Sequence, residues 1–181
     1  MSQGHGPERA PTEKQAWVAL LLAAVVFVGS GFVARLLFPQ AGMQLEPPWY
    51  HSSTALFEAA GKLGDAGRDQ QRIVVLTLDT IIPLTYGWAY FRALWCYGGR
   101  FGGPGLRWLG VAAMLCDFAE NACIVTVLSV FPERPAAVAV ALQAFAWTKW
   151  GILALATLGI LGAWASLRLR NRRSAPAALG G

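Results

Sequence analysis

The chain reads as an all-α membrane protein: a four-transmembrane-helix bundle with antiparallel neighbours and a short amphipathic interfacial helix between helices one and two. Three observations predict this. Of the 181 residues, 55% are hydrophobic and only 14% charged, against about 25% charged in an ordinary soluble domain. Apolar runs occupy residues 17–38, 73–95, 106–131 and 136–167, each long enough for a hydrocarbon core about 30 Å thick. Soluble helices of this length would carry polar faces, and these mostly carry none.

Residues 1–14 are polar and rich in Gly and Pro, which predicts a disordered tail. The run at 17–38 is too long for a signal-peptide core, and Pro39-Gln40-Ala41 makes a poor cleavage site, so it reads as a span. Its Gly29-Ser30-Gly31, like Gly159 and Gly162 in span four, is small enough for close helix approach. The connection 39–71 opens with Pro47-Pro48-Trp49-Tyr50-His51, whose rings suit the membrane interface. Residues 53–63 follow as the amphipathic helix, with Leu56, Phe57, Ala60 and Leu63 apolar and Gly61, Gly64 and Gly67 loosening or ending it. It reads either as a lid over the outer face or as an interfacial helix without a gating role. The glycine-rich segment 98–105 is a flexible turn, and Pro132-Glu133-Arg134-Pro135 is a tight one that makes spans three and four antiparallel neighbours. Span four is longer than the bilayer needs and must tilt or protrude. Residues 169–181 form a basic tail.

The net charge of +5 follows topology rather than nucleic-acid binding. Arg9 and Lys14 precede span one, Arg92, Arg100 and Arg107 flank the second connection, and Arg168, Arg170, Arg172 and Arg173 follow span four. On the opposite side, Lys62, Arg68, Arg72 and Arg134 are diluted by Glu46, Glu58, Asp65, Asp69 and Glu133. That asymmetry predicts a multi-pass protein of the inner (plasma) membrane with both termini cytoplasmic. Cys96, Cys116 and Cys123 form no C-x-x-C pair and read as small buried hydrophobes.

Charges inside the spans are the functional signal. Span two holds Asp79, span three holds Asp117, Glu120 and Asn121, and span four holds Gln143 and Lys149. An ionisable group near the bilayer centre costs about 2.5–3.5 kcal/mol even on the lenient insertion scale, so these must face inward and satisfy one another. Counting about 1.5 Å of rise per residue from the outer ends puts Asp79 and Gln143 about 10 Å deep, Glu120 and Asn121 about 16 Å, and Asp117 and Lys149 about 20 Å. Three helices therefore bring their polar groups to one layer. Asp117, Glu120, Asn121 and Ile124 line one stripe of span three, and Asp79, Pro83, Tyr86 and Gly87 one stripe of span two. Pro83 has no N–H, which frees the carbonyl of Asp79. Lys149 counters one acid, and Arg35 of span one is placed to counter another. Two carboxylates a turn apart do not both ionise cheaply at low dielectric, so one of Asp117 and Glu120 is expected to hold a proton, the arrangement of general acid–base sites and proton relays. Trp147 and Trp150 flank Lys149 and suit a flat or isoprenoid ligand, or a cation on a ring face; core packing is the plainer role for each alone.

No cofactor or metal is predicted. His5 and His51, the only histidines, lie outside the spans, H-E-x-x-H, P-loop and G-x-S-x-G motifs are missing, and Lys149 opposes a carboxylate metal site. The strings Asp79-x-x-x-Pro83-x-x-Tyr86-Gly87 and Asp117-x-x-Glu120-Asn121, with Lys149 in the last span, resemble a pattern in small bacterial four-helix integral membrane proteins. The resemblance covers spans two to four. It implies that these positions act together and carries no activity with it.

The leading expectation is acid–base chemistry on, or binding of, a lipid or isoprenoid compound. Asp117 and Glu120 would be the acid–base pair, Asp79 a further carboxylate and Lys149 counter-ion or electrophile. Asn121, Tyr86, Gln143, Trp147, Trp150 and Arg35 would hold the ligand. The expected partners are membrane lipids, with no nucleic acid. Two alternatives stand beside it: a proton-coupled transporter subunit working as a homo-oligomer, and an assembly or accessory protein whose ion pairs only fix helix register.

Overall fold

The computed structural model describes residues 10–41, 52–98 and 103–174; the sequence readings for the first nine residues, for Pro47 to His51, for Gly99 to Gly102 and for the last seven residues lie outside them. Helix α1, Glu13–Leu37, starts at a capping box: Thr12 Oγ1 accepts from the Gln15 N–H at 3.3 Å, and Gln15 Oε1 accepts from the Thr12 N–H at 3.0 Å. It ends at Leu37, with Phe38 between it and Pro39, as the residue preceding a proline disfavours helix. Ala16, Ala19 and Ala23 are its buried residues; from Ala24 to its end none is buried.

Helix α2, Ser53–Lys62, is the expected amphipathic helix; Ser52 Oγ caps it by accepting from the Ala55 N–H at 3.2 Å, and Leu56, Phe57 and Ala60 are its buried face. Beyond it the chain is not a loop, as the sequence had suggested for residues up to 71. Gly64 turns the backbone at φ +65°, where a side chain would be strained, and starts α3, Gly64–Leu76. Gly67 is not a breaker either: an added Cβ would lie 2.9 Å from the Gln40 carbonyl, so it lets the incoming chain pass close. Arg68 ties this region together, donating to the Ala60 carbonyl at 3.1 Å, pairing with Asp65 and lying 4.2 Å from the Phe131 ring centre.

The helical path breaks at Thr77 and resumes as α4, Leu78–Gly98, with Pro83 inside it. A 3-10 turn, Pro104–Trp108, leads into α5, Leu109–Val130. A turn closed by the Glu133 N–H on the Val130 carbonyl (2.9 Å) leads into α6, Ala136–Ser174. Four helical stretches are long and apolar enough to cross a membrane: Glu13–Leu37, Gly64–Gly98, Gly105–Val130 and Ala136–Asn171. The described residues contain no strand.

Helices α4, α5 and α6 form the core, and α1 packs on α4. Both described ends of the chain lie at one end of the bundle, where Glu13 and Arg168 approach to 3.5 Å and the Trp17 and Trp164 rings meet edge to face at 6.3 Å. That terminal end is filled by Ala16, Ala93, Leu94, Tyr97, Ala156, Ile160 and Ala163. The opposite, loop end is filled where α2 and α3 close over α5 and α6, through Leu56, Phe57, Val75, Ile124, Val127, Leu128 and Leu142. Between these two apolar clusters lies the polar layer. Close approach of α4 and α5 is set by Gly87 and Gly110. An added Cβ on Gly110 would meet the Gly87 carbonyl and Tyr90 Cβ at 2.8 Å, and one on Gly87 would meet Met114 Cβ at 2.9 Å. At Gly29, Gly31, Gly159 and Gly162, the positions the sequence offered for helix contacts, an added Cβ would meet no neighbouring helix within 4 Å.

Candidate functional site

Lys149 of α6 points its ammonium between two carboxylates of α5. Its Nζ donates to Asp117 Oδ1 at 2.9 Å and lies 2.6 Å from Glu120 Oε2. All three residues are buried: Glu120 is 1% exposed, Asp117 5% and Lys149 7%. The spacing of three residues between Asp117 and Glu120 is what places both on the α6-facing side of α5. From α4, the Tyr86 hydroxyl reaches Asp117 Oδ2 at 2.8 Å, with the Ala113 carbonyl at 3.1 Å. A phenol has one proton to give, and the nearer, charged oxygen is the stronger acceptor. Both oxygens of Asp117 are thus engaged, one by the ammonium and one by the phenol.

Glu120 is held differently. Its Oε2 lies 2.6 Å from the same ammonium, a charge-assisted contact, and Lys149 is its one partner among the described residues. One ammonium thus serves two carboxyl groups, and Glu120 lacks the second partner that Tyr86 gives Asp117.

The carbonyl that Pro83 frees has a partner. Asn121 Nδ2 donates to the Asp79 carbonyl oxygen at 3.2 Å, across from α5 to α4. An unpaired carbonyl in hydrocarbon is costly, so the proline and the asparagine work as a pair that fixes the α4–α5 register at this depth. The Asp79 side chain, in the first turn of α4, is half-buried and makes no ion pair among the described residues; Asn121 is its hydrogen-bond partner, and Asp117 and Lys149 are its electrostatic neighbours.

The structure therefore brings together Asp79, Tyr86, Asp117, Glu120, Asn121 and Lys149. It leaves the other sequence candidates at the margin. Gln143 is half-buried on α6 and makes no hydrogen bond among the described residues. Trp147 and Trp150 are 62% and 48% exposed and so face outward from the bundle, although the Trp150 ring centre lies 5.7 Å from Lys149 Nζ. Arg35 is exposed in the last turn of α1 and makes no ion pair among the described residues. A second polar contact was not anticipated: the Tyr90 and Thr157 hydroxyls meet at 2.6 Å, toward the terminal end. Its signal was present, since Tyr90 stands four residues after Tyr86 on the same stripe of α4.

No protein-family model, curated protein or solved structure matches the chain. What the cluster can do follows from its own chemistry. Among the described residues no three His, Cys, Asp or Glu side chains are arranged to hold a metal ion, and Cys96, Cys116 and Cys123 form no disulfide. What remains is a fixed Lys149–Asp117–Tyr86 unit with two further carboxyl groups beside it. The protein is an integral membrane protein with a buried Asp/Glu/Lys ion-pair site midway along its spans.

Proposed function

We propose that this layer is an acid–base and binding site for a lipid or isoprenoid compound that reaches it from within the bilayer. In this reading Glu120 is the group that gives and takes the proton. Lys149, fixed by Asp117 and Tyr86, supplies the countercharge, and Asp79 at the half-buried edge is the second carboxyl to meet the ligand. The observation that carries the reading is Glu120 itself: a carboxyl 1% exposed at membrane depth that shares a single ammonium with a second acid and has no other partner among the described residues. Ionisable groups inside a membrane bundle are functional by default.

The division of roles departs from an Asp117–Glu120 pair sharing the chemistry. With both its oxygens occupied, Asp117 is better suited to holding Lys149 in place than to exchanging protons. The positive-inside asymmetry supports placing the terminal end, with Glu13 and Arg168, in the cytoplasm of a bacterial inner membrane. The site would then be reached from the outer half of the bilayer.

Mass spectrometry of lipids and small molecules that co-purify with the full chain in mild detergent tests the proposal. A defined species enriched with the wild type and lost with Glu120→Gln is expected. The same bulk lipid profile for both proteins would contradict it.

A further inference from the structure

We infer that the terminal end of the bundle carries a second binding site, in which Arg107 takes the phosphate of an anionic phospholipid beside the aromatic rings of α4 and the 3-10 turn. This site and the Glu120 layer lie at different levels of the bundle, and neither depends on the other.

One guanidinium is held in a frame of rings. Arg107, in the turn Pro104–Trp108, places its Cζ 5.7 Å from the Phe91 ring centre, 5.0 Å from that of Trp95 and 5.7 Å from that of Trp108. Phe91 and Trp95 stand four residues apart and share a face of α4. The rings brace one another, Phe91 meeting Trp95 edge to face at 5.7 Å and Trp108 at 5.3 Å. Such rings attract a cation but do not neutralise it. The Arg107 Nε is buried and has no hydrogen-bond partner among the described residues. The residue as a whole is only half-buried, and its two terminal amino groups find no acceptor there either. The rings thus fix the direction of the guanidinium and leave its outer fork unfilled.

Charge at this end points to an anion. Arg68, Arg72 and Arg168 each face a carboxylate, on Asp65, Asp69 and Glu13; Arg107 faces none among the described residues. Glu13, 3.5 Å from Arg168, is the only acid described at the terminal end, against Lys14, Arg92, Arg107, Arg168 and Arg170. Arg92, its Cζ 5.4 Å from the Trp88 ring centre, donates at 3.4 Å to Gln15 Oε1, which already accepts from the Thr12 N–H. An incoming anion therefore meets an excess of positive charge and displaces no acid from Arg107. The two terminal amino groups of a guanidinium match two phosphate oxygens, and its weak hydration suits a ring-lined site.

The location selects a lipid as the source of the phosphate. Arg107 lies where the membrane-crossing stretches Gly64–Gly98 and Gly105–Val130 meet at their terminal ends. Trp108 beside it is 55% exposed, as suits an indole at the headgroup level. Leu84, Trp88, Phe91 and Trp95 follow one another at i, i+4, i+7 and i+11, a single stripe of α4. Leu84 and Trp88 are each 50% exposed, so the stripe runs from the guanidinium into the hydrocarbon as an open apolar track for an acyl chain.

Native mass spectrometry of the full chain in mild detergent, with dioleoylphosphatidylglycerol and dioleoylphosphatidylcholine offered at equal mole fraction, tests this. The anionic lipid should bind about tenfold more tightly than the zwitterionic one, the scale of one charge-assisted contact. Equal tightness would overturn the proposal, and this comparison needs no variant to fold. Arg107→Gln should remove most of the preference, while Arg134→Gln, at an exposed arginine of the loop end, leaves it unchanged. A preference that survives Arg107→Gln, or falls equally with Arg134→Gln, would mean adsorption to general positive charge and would overturn the site. Arg107→Lys keeps the charge without the fork and should restore the preference only in part; full restoration would overturn recognition by the fork. Glycerol 3-phosphate displacing the lipid at equal concentration would overturn the lipid as the source of the phosphate. Thermal unfolding of each variant shows whether a lost adduct reflects a lost fold.

Discussion

Lys149 is the residue on which the buried layer depends. Removing it leaves Asp117 and Glu120 facing each other without a cation in a dry interior. Lys149→Met should therefore lower stability by roughly 3–5 kcal/mol, the usual effect of breaking a buried pair from one side. Denaturant unfolding in detergent checks this, and a loss under 1 kcal/mol would show the pair to be unimportant for the fold. Asn121 offers a finer test through its bond to the Asp79 carbonyl. Asn121→Ala should cost about 0.6–1.7 kcal/mol, the range for interhelical hydrogen bonds in membranes. The loss should shrink in a Pro83→Ala background, where residue 83 regains an N–H for that same carbonyl. A double-mutant cycle with no coupling would refute the pairing of the proline with the asparagine. Much of this was legible in the sequence, because ionisable residues in apolar runs must converge and the proline announces a freed carbonyl. What it lacked was partner choice. Spacing puts Asp117 and Glu120 on one face but does not say which of them Tyr86 reaches, and that contact gives Asp117 a second partner while Glu120 has Lys149 alone.

At the scale of helices, the α4–α5 crossing sets how near Tyr86 comes to Asp117. Gly110 lies where an added methyl would run into the backbone of α4. Gly110→Ala should cost about 1–3 kcal/mol, in line with overpacking a tight interface. Gly159→Ala, with nothing within 4 Å, should be neutral or slightly stabilising because alanine favours helix. Unfolding curves for the two variants compare them directly, and equal effects would contradict the crossing described here. The sequence did not set Gly87 and Gly110 apart from the other glycines for a physical reason. Small residues on a lipid-facing surface and small residues at a crossing look alike along one strand of text; only the partner helix tells them apart. The helix α3 was hidden similarly, since Gly64 and Gly67 carry a breaker's composition while one turns the chain and the other admits the Gln40 carbonyl.

Over the whole molecule, the polar layer is enclosed between two apolar clusters. At the loop end, α2 and α3 pack over α5 and α6; at the terminal end, α1, α4 and α6 contribute alanines together with Leu94, Tyr97 and Ile160. The fold class was readable from composition and run length, since a bilayer of fixed thickness leaves few arrangements for such a chain. The asymmetry of the bundle was not: α1 buries only alanines of its first half, so the three helices that carry the charges form a unit with α1 added to α4. In the proposed function the duties within this layer are separate: Lys149, Asp117, Tyr86 and Asn121 hold the bundle together, and Glu120 serves a ligand. The most direct measurement is the unfolding free energy of Glu120→Gln beside the wild type in the same detergent. Stability equal to or above the wild type, within about 1 kcal/mol, is the result the proposal predicts, because Lys149 would keep its bond to Asp117. A loss of about 3 kcal/mol or more, as for a broken buried pair, would make Glu120 part of the scaffold and contradict the central claim.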